Sequence, residues 1–87
     1  MSLERLGLRP GERIRFRRPD RGRWQPGTAR RVEPDGSIGV VDANGALRSV
    51  PAELVEVTAA GPRGAAMWEP LLARAARTEQ LGLLDRE

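Results

Sequence analysis

From residue 12 the chain alternates, with Ile14 and Phe16 standing between Arg13, Arg15 and Arg17. This is the period-two pattern of a strand with one packed and one solvated side. Pro10-Gly11 marks a turn into this first strand, residues 12–18, and residues 19–23 read as an exposed loop. A second strand begins at Trp24 and runs to Val32, bent near its start by Pro26-Gly27. Asp35-Gly36 supplies a turn and residues 37–41 a third strand. Asn44-Gly45 predicts a tight type I′ turn, because both residues tolerate positive φ. Residues 46–50 then form a fourth strand, residues 51–54 a single helical turn and residues 55–57 a short closing strand. Phe16 and Ile38 are core candidates.

The pattern changes afterwards. Residues 58–66 are small, with no side chain large enough to anchor them apart from Arg63, and they read as a linker. Glu69-Pro70 suits a helix start, since proline is favoured at the first helical position. The spacing predicts a helix over 70–81. At about 100° per residue, Trp68, Leu71, Leu72, Ala75 and Ala76 share a face that packs on the preceding domain or on a partner. Leu81 falls on the opposite side. Gly82 fits a left-handed helix cap, with Leu83 folding back on the last turn.

Five short strands, tight turns and a one-turn helix before the last strand predict a mainly β chain: a small, partly open five-stranded barrel followed by a C-terminal α-helix. The organisation is then a leader (1–10), a barrel (11–57), a linker (58–68) and a helix with its tail (69–87). The barrel resembles the Tudor and KOW group of SH3-like barrels. The likeness is carried by Gly11-Glu12-Arg13-Ile14-Arg15-Phe16, Trp24-Gln25-Pro26-Gly27-Thr28, Asp35-Gly36-Ser37-Ile38-Gly39-Val40, Gly45, and residues 50–54. Members that read methylated side chains surround the cation with three or four aromatic rings. This chain offers only Phe16, Trp24 and Trp68, and Phe16 alternates inward, so the resemblance implies nucleic-acid contact or protein docking instead.

Composition narrows the chemistry. The 87 residues contain no cysteine, histidine, lysine or tyrosine. That removes thiolate and imidazole catalysis, Schiff-base chemistry and thiolate or imidazole metal sites, so neither an enzyme nor a cofactor is expected. Asp20, Asp35, Asp42 and Glu53 fall in turns. No disulfide framework, signal-like segment or membrane-length span occurs, which predicts a cytoplasmic protein with no membrane partner.

Net charge is +3, but residues 1–32 hold ten arginines against Glu4, Glu12 and Asp20, for +7, and the remainder carries −4. Such asymmetry predicts a basic surface for a polyanion. Arg13, Arg15, Arg17, Arg18, Arg21, Arg23, Arg30 and Arg31 form one patch if the first two strands pair. Guanidinium groups bind phosphates bidentately and without base preference. Trp24 at the edge of the patch is a candidate for base stacking. The competing reading is a solvated arginine face, with Trp24 covering the barrel's open end.

Gln80-Leu81-Gly82-Leu83-Leu84 resembles the peptide by which many bacterial DNA polymerases and repair proteins dock on the replicative sliding clamp. The resemblance implies that Gln80 hydrogen-bonds at the pocket rim, Leu81 anchors, Gly82 spaces, and Leu83 and Leu84 fill the cleft. The helix-cap reading uses the same residues.

The combined expectation is a bacterial accessory protein that contacts nucleic acid, DNA before RNA, through an arginine face and docks on a protein, with the sliding clamp as candidate partner, through its tail. The alternative is a protein-interaction module of the transcription or translation machinery.

Overall fold

The computed structural model describes residues 2–19, 21–61 and 66–84, the side chains of Arg21, Ala60 and residues 81–84 excepted. The chain forms a 3-10 turn at Leu3–Leu6, then strands β1 (Arg13–Arg18), β2 (Arg21–Val32), β3 (Ile38–Asp42) and β4 (Leu47–Val50). A second 3-10 turn at Ala52–Leu54 leads into β5 (Val55–Ala60), β6 (Ala66–Pro70) and helix α1 (Leu71–Leu84). All strand pairs are antiparallel, in one sheet ordered β4-β3-β2-β1-β5-β6. The chain is thus mainly β with a C-terminal helix. Among the described residues six strands replace the expected five, and the sheet is not closed, with β4 and β6 as its edges.

The sheet turns on β2, whose 12 residues serve two partners. Residues 21–28 pair with β1 and residues 27–32 with β3. Pro26 sits where β2 has only β1 beside it, so its missing N–H removes no rung to β3. A Cβ on Gly27 would meet the Val41 carbonyl oxygen at 2.9 Å and the Phe16 ring at 3.1 Å, so the bend requires glycine. The register shifts once more between Ala29 and Arg31. The extra residue at this bulge curves the sheet around its packed side. Arg21 and Arg23, expected in an exposed loop, extend β2 instead, while Asp20 lies outside the described residues.

Ile14 and Phe16, each about 1% exposed, alternate with their arginine neighbours as expected. They join Ala29, Ile38, Val40, Val50, Val55 and Val57 in one core. Leu3 and Leu8 of the leader and Leu71 of α1 complete it. Through Leu3, Leu6 and Leu8 the leader therefore forms a wall of the core rather than an appendage. Its residues carry no strand-like alternation, and only the spacing of two leucines around a glycine marks their role. Gly7 closes the first turn at φ 78°, and a Cβ there would lie 2.4 Å from Thr78 Oγ1 on α1.

Both β-hairpins after β2 use one recipe. Gly36 N–H donates to the Glu33 carbonyl (2.9 Å) and Gly45 N–H to the Asp42 carbonyl (3.0 Å), with φ at 88° and 82° respectively. The second turn therefore starts one residue earlier than the expected type I′ pair, with Gly45 as the left-handed residue that follows it. Asp42 sets this position. Its Oδ1 accepts the N–H groups of Asn44 and Ala46, both at 2.9 Å, and its Oδ2 accepts Arg48 Nε at 2.6 Å.

The expected linker is also partly strand. Residues 58–60 pair with residues 66–68, and residues 62–65 lie outside the described residues. Small side chains hide strands from a pattern search, since pairing here rests on backbone bonds. Trp68 accordingly sits on β6, not on the helix. α1 begins at Leu71 and faces inward with Leu71, Arg74, Ala75 and Thr78, leaving Leu72 and Ala76 exposed. Its backbone stays helical past Gly82 to Leu84, so Gly82 is no cap. A glycine within a helix costs only about 1 kcal/mol.

Arg74 fastens the helix. It bonds the Gly7 carbonyl (3.2 Å), Glu12 Oε2 (2.5 Å) and the Thr58 carbonyl, and its Nε lies 3.6 Å from Glu69 Oε1. Arg77 adds a two-pronged pair to Glu69, at 2.9 and 2.6 Å.

Phe16→Ala is expected to lower stability by roughly 3–5 kcal/mol, which a small domain registers as a Tm fall of more than about 12 °C in a thermal melt. The hydrogen bond from Arg48 holds the Asp42 carboxyl below the ordinary carboxylate range, and Arg77 does the same for Glu69. Depressed carboxylates stabilise the fold fully above their unfolded value near about 4, and that stability is lost as pH falls through the folded values. Urea midpoints are expected to be flat from neutrality to about pH 5 and to drop below about pH 4, with a smaller drop in Asp42→Asn.

Candidate functional site

Residues directly opposed in the sheet share a face, which gives the outward surface from register alone. Arg13 opposes Thr28, Arg15 opposes Pro26 and Glu56, and Thr58 opposes Trp68. Arg13, Arg15, Arg17, Glu56 and Trp68 therefore stand on the solvated side, away from Ile14, Phe16, Val55 and Val57. Trp24, half-buried on β2, joins them beside Arg15 and Arg17.

The centre of this surface is a stack. Arg15 Cζ lies 4.4 Å from the Trp24 ring centre and 4.9 Å from that of Trp68. Arg17 Cζ lies over Trp24 at 5.2 Å. Arg15 Nε donates to Glu56 Oε1 at 2.7 Å, and a second nitrogen of the same guanidinium bonds that oxygen. Arg15 is half-buried as a result, where alternation alone predicts a free outward arginine. Three strands supply its neighbours: β2 gives Trp24, β5 gives Glu56 and β6 gives Trp68. Two of them, Glu56 and Trp68, escape the sequence reading, which leaves Glu56 without a role and Trp68 on a helix. The only signal for β6 is the bulky pair Met67-Trp68 just before a proline.

The other expected site residues divide. Arg13, Arg17, Arg18, Arg23 and Arg30 are exposed and have no carboxylate partner among the described residues. Arg31 is exposed but held by Glu33, 3.0 Å from its Nε. The side chain of Arg21 lies outside the described residues, although its backbone pairs with Arg18 at the hairpin end. Arg13, Arg15, Arg17 and Trp24 come together, Arg18 and Arg23 flank them, and Arg30 and Arg31 sit at the far end of β2. At a rise of about 3.3 Å per residue, the strip from the position opposite Arg17 to Arg31 is roughly 20 Å long.

Of the tail, Gln80 is exposed on α1, while the side chains of Leu81, Leu83 and Leu84 lie outside the described residues. An open depression is lined by Gly7, Arg9, Pro10, Gly11, Glu12 and Arg74, but its central charges, Glu12 and Arg74, are bonded to each other. Among the described residues no group of His, Cys, Asp or Glu side chains is arranged to hold a metal ion, and no helix is long and apolar enough to cross a membrane. No protein-family model, curated protein or solved structure matches the chain.

Arg15→Ala leaves Glu56 without its partner and uncovers both indoles, so it is expected to cost about 1–2 kcal/mol. Arg13→Ala, two positions away on the same face, is expected to stay within about 0.5 kcal/mol of the parent. Urea unfolding of the two variants side by side checks the contrast.

Proposed function

We propose that this chain is a non-enzymatic bacterial accessory protein that binds nucleic acid with weak sequence preference through its outward sheet face. The observation that carries this reading is the group of exposed arginines on β1 and β2 that have no carboxylate partner among the described residues: Arg13, Arg17, Arg18, Arg23 and Arg30. Each can donate bidentately to a phosphate, and none lies on a base-reading helix. Trp24 and Trp68 add planar apolar surface among them.

The strand order supports an SH3-like reading of residues 11–57, in the Tudor and KOW manner. β1 to β4 follow one another as a meander, a 3-10 turn precedes β5, and β5 pairs back on β1. Barrels of that plan serve both nucleic-acid and protein contact, so the arginines, not the fold, decide between them. In this proposal the C-terminal residues 80–84 give location by docking on a protein, with the sliding clamp as candidate. Extended docking requires the last turn of α1 to unwind.

The test is a titration of a mixed-sequence DNA at two salt concentrations. Phosphate contacts release counterions, so affinity is expected to fall linearly on a log-log plot of binding against salt. Combined Arg13→Ala, Arg17→Ala and Arg30→Ala substitution is expected to flatten the slope by about 2 to 3, close to one per lost phosphate contact. Absence of binding at low salt would turn the reading toward a protein-docking module.

A further inference from the structure

We infer that the outward sheet face takes single-stranded nucleic acid, with unpaired bases stacking at Trp24 and Trp68 while the flanking arginines hold the phosphates. The inference rests on the nucleic-acid reading above and names the form of its ligand.

Both tryptophans lie on the solvated side of the sheet and are only half-buried. Neither belongs to the core, which is complete without them. Their distances to Arg15 Cζ, 4.4 and 4.9 Å, put the two ring centres no more than about 9 Å apart. At about 3.4 Å per stacked step, both rings are then within reach of neighbouring nucleotides of one strand. The Arg15 guanidinium lies against both rings and holds them in position. Glu56 fixes that guanidinium and is neutralised by it, so the carboxylate at the centre of the face does not repel a phosphate chain. The planar groups are therefore ordered before any ligand arrives, which lowers the entropy lost on binding.

The surroundings complete the match. Arg13 and Arg17 lie on the same strand as Arg15, and Arg18 and Arg23 at the adjoining hairpin end, all exposed. A duplex would meet these cations with its phosphates but keeps its base faces stacked inside, leaving both indoles idle. A single strand presents phosphates and base faces together, the pairing found in sequence-tolerant single-strand binders.

Intrinsic tryptophan fluorescence of the full chain, titrated with oligothymidylate of about 12 nucleotides and with a duplex of equal length at the same low salt, tests this. The single strand is expected to bind at least about tenfold tighter than the duplex and to quench the emission. Trp68→Leu is expected to lose about tenfold in single-strand affinity with duplex affinity unchanged, and Trp68→Phe to recover most of the loss. Thermal melts establish that each variant is folded. Should Trp68→Leu fail to fold, the single-strand preference and quenching of the parent chain still decide. Equal affinity for both forms without quenching, or a folded Trp68→Leu that binds like the parent, overturns the inference and leaves the arginine-face reading standing. Binding to neither form removes the nucleic-acid reading itself.

Discussion

One arginine late in the chain holds the beginning of the fold in place. Arg74 reaches from α1 to the carbonyl of Gly7, the carboxylate of Glu12 and the carbonyl of Thr58, with Glu69 alongside. Those contacts join the leader, the entry to β1, β5 and β6 to a single side chain. Only a guanidinium has enough fixed donors to satisfy so many acceptors at once. The arrangement also explains why Gly7 has no side chain, since the helix lies where its Cβ would be. With the helix fastened, Leu71 seals the core beside Leu3 and Leu8, and the outward face of the sheet is left to other work.

The arginines of this chain therefore divide by the company they keep. Arg15, Arg48, Arg74 and Arg77 are built into the architecture through Glu56, Asp42, Glu12 and Glu69. The asymmetry of charge along the sequence is partly undone by folding, because Glu33 and Glu56 from the acidic part settle on Arg31 and Arg15 from the basic part. What remains for a partner is a smaller and better defined group on and beside the first hairpin. Counting arginines overstates a basic surface; finding their carboxylates corrects it.

The strands with alternating side chains were legible before any coordinates. Ile14 and Phe16 are buried as their period requires, and the 3-10 turn at Ala52–Leu54 and the helix after Glu69-Pro70 lie close to their expected places. Glycine-marked turns were legible too, although the Asp42 carboxylate moved one of them by a residue. Elements held by backbone pairing alone were not. β6 pairs with residues 56–60, and the last three of these, Thr58, Ala59 and Ala60, have small side chains that say nothing about a sheet, so Trp68 was assigned to a helix face. The same error hid the central stack, because Glu56 and Trp68 reach Arg15 from strands more than 40 residues further along the chain. Its arginine and one tryptophan were visible as candidates, while the geometry that makes them a unit depends on long-range register.

The contact between the leader and α1 also governs the order in which the molecule can be completed. Arg74 and Gly7 are 67 residues apart, and Arg74 and Glu12 are 62 apart. Chains grow from the N-terminus at about 5–20 residues per second, so Leu3 and Leu8 leave the ribosome roughly 3 to 13 s before the helix that covers them. During that interval the meander can form its hairpins, but its packed side stays open at one end. Contacts of such long sequence separation carry a high loop-closure cost and come late in folding. Docking of α1 then closes this core, and a nascent chain halted before residue 74 would expose the very leucines on which the finished core depends.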